Sequence, residues 1–242
     1  TTLGKIDIKG PDSAEFLNRV YTNAWLKLPV GKARYGLMLR EDGMLLDDGT
    51  TTRISENHYH MTTTTAQAAN VLTHLEYYLQ VVWPELKVNV VSSTEQWAGA
   101  AIAGPKSRDL LSKLLPTEDV TNDGFAFMHY KEVDFFGVKA RLFRISFSGE
   151  LAYEINVPSD SGLFMWEKII EVGKNFNLQP YGTEALSTLR IEMGHVAGPE
   201  LDGRTIPSDL SLDGMISKKK DFIGKRSLSK KDFIKPERQK IV

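Results

Sequence analysis

The chain has 242 residues, of which 41% are hydrophobic and 25% charged, and its formal net charge is −1. That length allows one or two domains with a buried core, and the charge lacks the basic excess that draws a protein to nucleic acid. There is no apolar run near the roughly 18 residues of a membrane span, no signal-peptide pattern and no cysteine, so disulfides, thiol catalysis and cysteine-held metals are excluded. A cytoplasmic enzyme or subunit with no membrane and no nucleic-acid partner fits these features.

Lys5 to Lys9 alternates polar and apolar residues, the period of a half-buried strand. Gly10-Pro11-Asp12-Ser13 then opens a helix whose Phe16, Leu17 and Val20 form an apolar stripe. Strands are predicted at 35–39 and 44–46 around the reversal Glu41-Asp42-Gly43, and at 50–54 and 59–63 around Ser55-Glu56-Asn57. A helix over 65–80 carries Ala69, Leu72, Leu75, Tyr78 and Leu79 on one side, and a strand follows at 86–91. The opening construction then returns 94 residues on: a strand at 97–103, then Gly104-Pro105-Lys106-Ser107 and a helix bearing Leu110, Leu111 and Leu114. GPDSAEFLNRV and GPKSRDLLSKL share their Gly, Pro, Ser and Leu positions. They read as a diverged internal duplication or as two independent uses of a good helix start.

Further strands are predicted at 125–133, 138–145 and 152–157, and helices at 163–172 and 183–193. The tail from Lys218 to Lys235 is basic, with a short helix after Gly224. Strand pairs alternating with single helices predict an α+β fold with largely antiparallel sheets. Its expected divisions are 1–95, 96–217 and a basic tail at 218–242. Thr1 opens the chain without Met, and Lys240-Ile241-Val242 reads as the first step of another strand, so a fragment of a longer protein is expected.

Asp47-Asp48-Gly49 reads either as turn chemistry or as a carboxylate at a pocket rim, able to orient or deprotonate an amine. In the second case only one of the two acids faces the pocket. Ser146-Phe147-Ser148-Gly149-Glu150 lacks the first glycine of a nucleophile elbow and reads as a turn. Glu154 shares a strand face with Ala152 and Asn156, opposite Tyr153 and Ile155, and is either a surface acid or one held by a functional contact. In the run Thr62 to Thr65, Thr64 or Thr65 suits a helix N-cap, while Thr62 and Thr63 could bond a polar ligand edge. His58 and His60 share a strand face without a third metal ligand nearby in sequence; a solvated or stacked pair is expected, and no metal site. His195 reads as structural, and Lys218-Lys219-Lys220 as a solvated loop, with an anion contact as the second reading. Neither G-x-G-x-x-G nor G-x-x-x-x-G-K-[ST] occurs.

Several ordered runs together resemble the aminomethyltransferase superfamily, to which the glycine-cleavage T-proteins belong. They are ARYGLML with EDGMLLDD, then AGP, SGELAYE and LRIE. RYGLMLREDG, HMTTTT, TEQWA, SFSGELAYEINVP, PYGTEAL and DFIGKRSL are most similar to the alpha-subunit family of heterotetrameric sarcosine oxidases. The resemblance implies two related sheet-plus-helix halves of a folate-binding fold, without the C-terminal barrel-like domain of the family. It implies tetrahydrofolate as cofactor, with Asp48 as the catalytic acid and Glu154 on the N–H edge of the pterin. Tyr35 and Phe147 match flanking aromatic positions, Leu3 an apolar contact, and Thr63 a position where T-proteins have asparagine. Leu186 stands where T-proteins carry a folate-contacting arginine. The activity implied is transfer of a methylene from an amine-derived imine to folate. Flavin and NAD belong to other parts of the complex, and other sarcosine oxidase subunits are the expected partners. A stand-alone aminomethyltransferase or demethylase, or a non-catalytic folate-binding scaffold, are the alternatives.

Overall fold

The structure is a computed structural model and describes residues 2–230. The strand-like 240–242 and the far end of the basic tail lie outside the described residues. The chain divides into two compact units, Leu3–Thr94 joined by 196–230, and Glu95–His195.

In the first unit, β1 (Gly4–Lys9), α1 (Ser13–Val20), β2 (Ala33–Leu39), β3 (Leu45–Ser55), β4 (His58–Thr63), α2 (Ala68–Tyr77) and β5 (Asn89–Ser92) follow in order. The strands form one antiparallel sheet in the order β2-β3-β4-β1-β5. One face carries Ile6, Ile8, Tyr59 and Met61 into a core with Phe16, Leu17, Val20, Trp25, Val71 and Leu75. Each fully buried aliphatic or Phe side chain contributes about 1.5–3 kcal/mol. β1 is not half-exposed as its alternation suggests. Lys5 and Asp7 are only 3% and 8% exposed, so its polar face is covered as well.

The predicted helix over 65–80 is broken into a 3₁₀ turn, α2 and a π-turn at Tyr78–Val82. Leu75 and Tyr78 of the predicted side are buried, and Leu72 and Leu79 pack against the same core; Val71 joins them, and Ala69 is exposed. After His195 the chain returns to this unit. Val196, Leu201, Leu210 and Phe222 pack with Leu37, Leu39 and Leu45. The short helix expected after Gly224 spans Lys225–Leu228. Lys220 is no solvated residue: its ammonium donates to the carbonyls of Asn18 and Tyr21 at the end of α1.

The second unit contains β6 (Trp97–Ala103), α3 (Ser107–Leu114), β7 (Tyr130–Phe135), β8 (Val138–Phe143), β9 (Ala152–Pro158), α4 (Gly162–Gly173) and α5 (Thr183–Glu192). Its antiparallel sheet runs β6-β9-β8-β7. Read from the other edge, this is the order β2-β3-β4-β1 of the first unit, with α3 and α4 in the places of α1 and α2. The correspondence extends to register. Ile8 pairs with Tyr59 and Ile102 with Tyr153, so one offset of 94 residues maps both strands of each pair. The turns also match: Gly10 and Gly104 have φ of 142° and 113°, where L residues are strained, and their carbonyls accept the amides of Ser13 and Ser107 at 3.1 and 3.0 Å. Of the two readings of the repeated motif, the duplication is the one that the fold supports.

Candidate functional site

β3 runs unbroken from Leu45 to Ser55, so Asp47-Asp48-Gly49 is mid-strand and not a reversal. Leu39 pairs with Leu45 but Met38 with Asp47, which leaves Leu46 as an extra residue just before the two acids. Such a bulge re-aims the side chains beside it. Beyond it, alternation separates the pair. Asp48 lies on the face of Leu37, with Thr50 and Thr52 along the same strand, whereas Asp47 faces the side of Thr51 and the core.

On the Asp48 face, the Tyr35 hydroxyl donates to Asp48 Oδ2 at 2.6 Å. Burial, and next the negative charge of Asp48, hold the Tyr35 hydroxyl well above the usual tyrosine range. The phenol therefore stays protonated and acts as donor, and Asp48 is the acceptor. The register of β1 and β3 with β4, continued to the strand ends, puts Leu3 and Thr64 in one row with Asp48. Thr63 lies on the opposite face, opposite Gly4, and donates its hydroxyl to the Thr64 carbonyl at 3.1 Å. Thr62 is the hydroxyl on the Asp48 face, 3.0 Å from the Thr50 hydroxyl.

Asp47 has no exposed surface. Its Oδ2 accepts the Thr64 amide at 3.1 Å, and its Oδ1 has no hydrogen-bond partner. Burial raises its pKa from 3.8 to about 7; the Thr64 bond works against that shift, and the Asp48 charge adds to it. His58 and His60 are neither solvated nor stacked on each other. Asp7 faces both, 3.4 Å from His58 Nε2 and 2.7 Å from His60 Nδ1. Sequence spacing hid this partner, because Asp7 reaches them across the β1–β4 ladder. Among the described residues, no group of three or more such side chains is arranged to hold a metal ion.

In the second unit, Tyr153, Ile155 and Val157 point into the core, and Glu154 lies on the other face with Asn156, as alternation predicts. Cross-strand neighbours of Glu154 are Ala101 and Phe143. Asn156 is buried, and its Oδ1 has no hydrogen-bond partner. Phe147 sits on the bend before β9, its ring stacked on His195. A cavity of about 660 Å³ opens along β6, between the start of α3, α4 and the chain before α5; Leu186 and Tyr181 line it. The Tyr181 hydroxyl is raised above its ordinary pKa by burial and then by the charge of Glu154. Tyr35 and Asp48 are thus brought into direct contact within one unit, while Phe147 and Glu154 belong to the other.

The model of the GCVT N-terminal domain matches residues 1–220. The chain belongs to the GCVT N-terminal domain family. Within this family it is 54% identical, over 99% of its length, to sarcosine oxidase subunit alpha of Rhizobium meliloti, and spans 24% of that protein. It is 33% identical over 95% of its length to an aminomethyltransferase of Chloroherpeton thalassium, spanning 62% of it. The fold is that of the glycine cleavage system aminomethyltransferase T of Bartonella henselae, with a TM-score of 0.81 and 22% identity, covering 96% of this chain and 60% of that one. The GCVT chain thus spans about a quarter of its sarcosine oxidase relative and under two thirds of these aminomethyltransferases. Among the described residues no helix is long and apolar enough to cross a membrane.

Proposed function

We propose that this domain binds tetrahydrofolate and serves as the one-carbon-transfer part of a sarcosine oxidase-like enzyme, passing the methylene of an oxidised N-methyl amine to folate. The observation that carries the reading is the Tyr35–Asp48 pair beside a strand bulge, a carboxylate fixed by a tyrosine hydroxyl that donates to it. Family membership and 54% identity to a sarcosine oxidase alpha subunit support the amine-oxidising context. Other subunits of such an enzyme are the proposed partners, flavin and NAD are assigned to parts of the complex outside this chain, and the compartment is the cytoplasm. We keep 1–95 and 96–217 as the two halves of descent, followed by the basic tail.

The residues present suit a pterin. Its ring edge offers N–H donors, and the Glu154 face offers a carboxylate and the unpaired Asn156 Oδ1 as acceptors. When bound, tetrahydrofolate supplies the amine nitrogens that take up the one-carbon unit. Asp48 would take up a proton at its carboxylate, and its charge would favour a cation held beside it. Tyr35 holds the Asp48 carboxylate in one orientation. Glu154 would hold the pterin edge with Phe147 in its own unit, Leu3 is the apolar contact assigned in the other unit, and Thr63 shapes its strand end from the far face. Holding the two reactants in place is a large source of rate, with effective molarities on the order of 10⁵ M or more.

Anaerobic calorimetric titration of the intact natural protein with tetrahydrofolate tests this. Glu154→Ala is expected to weaken binding at least about tenfold, the worth of a charged hydrogen bond. Asp48→Ala is expected to keep binding and to slow transfer by about 10²-fold or more. Unchanged affinity in the first variant, or full transfer activity in the second, refutes the assignment.

A further inference from the structure

We infer that the turn after α5, through Met193 and His195, is a positioning element that sets the ring of Phe147. This rests on the folate reading above and adds to it a group outside the residues that the family resemblance names. The loop from Ser146 to Glu150 has few fixings of its own: the Ser146 hydroxyl donates to the Glu150 carbonyl at 2.6 Å. Gly149, at φ +81°, supplies a conformation that other residues rarely adopt. Further restraints come from the turn that follows α5. His195 Nδ1 lies 2.9 Å from the Phe147 carbonyl. A carbonyl only accepts, so Nδ1 carries the proton. The imidazole also stacks on the Phe147 ring, with centroids 5.8 Å apart and planes within 19°. One side chain therefore grips both the backbone and the ring of the same residue.

Met193 closes the other side. A Cβ on Gly149 would fall 2.0 Å from Met193 Cγ and 2.5 Å from its sulfur, so the thioether lies directly against the loop backbone. The turn that presents these two side chains is itself pinned: the His195 amide donates to the Arg190 carbonyl at 2.8 Å, and Arg190 Nη1 donates to the His195 carbonyl at 3.1 Å. Gly194, at φ 70°, allows the reversal between them. Five residues after Phe147 the same chain enters β9, which carries Glu154. Holding the loop thus sets an aromatic wall at a fixed step from the acid, and a flat heteroaromatic ring such as a pterin is the ligand that such a wall fits.

The test uses the intact protein and 5-formyltetrahydrofolate as a stable probe, with wild type, His195→Ala, His195→Asn and Met193→Ala compared. The Asn amide retains a donor where Nδ1–H stood. His195→Ala is expected to raise the Kd about fivefold, the worth of a hydrogen bond and its stack, without lowering the melting temperature. His195→Asn should return to within about twofold of wild type, and Met193→Ala should fall between. Amide exchange at 147–149, measured without ligand, should quicken in His195→Ala. Wild-type affinity in His195→Ala, a loss that tracks the melting temperature, or no recovery in His195→Asn overturns the inference while leaving the folate reading in place. Absence of saturable binding in wild type overturns the folate reading, and with it the role given to Phe147.

Discussion

Replacing Asp47 with asparagine should reverse its effect on stability between acid and alkaline pH. Asp47 is buried, with one oxygen on the Thr64 amide and the other without a partner, and its folded pKa is about 7 against an ordinary 3.8. Between those two values the folded state holds a proton that the unfolded chain has released, so stability falls as pH rises from about 4 to about 7 and stays low above. At about 1.4 kcal/mol per pH unit, the full penalty is roughly 4 kcal/mol. In Asp47→Asn the amide oxygen still accepts from Thr64, but an NH₂ group now occupies the place of the unpaired oxygen. That costs about 1–3 kcal/mol at every pH. The variant should therefore be less stable than wild type near pH 4, cross it as pH rises, and be more stable by about 1–3 kcal/mol at pH 8. Urea unfolding midpoints of both proteins across pH 4–8 give the difference directly, and taking the difference cancels other titrating groups. A difference that does not change with pH refutes the argument, since it would mean that the carboxyl is charged, or neutral, throughout.

Tyr35→Phe removes the 2.6 Å bond to Asp48 and should slow transfer more than it weakens folate binding, read as a drop in kcat with KM within about threefold. Gly10→Ala should destabilise more than Gly104→Ala: both have positive φ, but only at Gly10 would a Cβ meet a backbone oxygen, that of Lys87 at 2.1 Å. Comparison of thermal midpoints decides. His60→Ala removes the 2.7 Å partner of Asp7 in a covered setting where His58 still faces it, and should cost about 1–3 kcal/mol, whereas an exposed pair would cost under about 1. Chemical unfolding distinguishes the two.

The α+β class, the antiparallel sheets and the buried Phe16, Leu17 and Val20 were all readable from periodicity, because α1 is short and packs one clear stripe. The repeat at Gly10 and Gly104 was visible as a shared motif, but only the matching sheet order and register separate a duplication from two independent helix starts. The Asp-Gly at 48–49 misled as a turn signal: a bulge at Leu46 and pairing on both sides of β3 keep it in the sheet, and local residue preference carries no information about that. The polar cover over Lys5 and Asp7 was hidden for the same reason, as partners across a ladder are distant in sequence. Of the candidate site, the opposition of Asp47 and Asp48 follows from alternation, but which acid meets Tyr35 depends on the bulge. Leu3, Tyr35, Thr63, Phe147 and Glu154 came from resemblance and not from pattern. The part of His195 could not be read at all, since 48 residues separate it from the carbonyl it holds.

The shared register of the two sheets has an evolutionary consequence. At the offset of 94, His60 and Glu154 occupy equivalent positions, as do Tyr59 and Tyr153. In a symmetric pair of identical chains, one gene change alters both copies, so a basic imidazole could not replace a carboxylate on one side alone. Fusion of the copies into one reading frame lifts that restriction. The tyrosines, which do the same packing job in each core, stayed alike, and the positions beside them on the polar faces were free to take opposite chemistries.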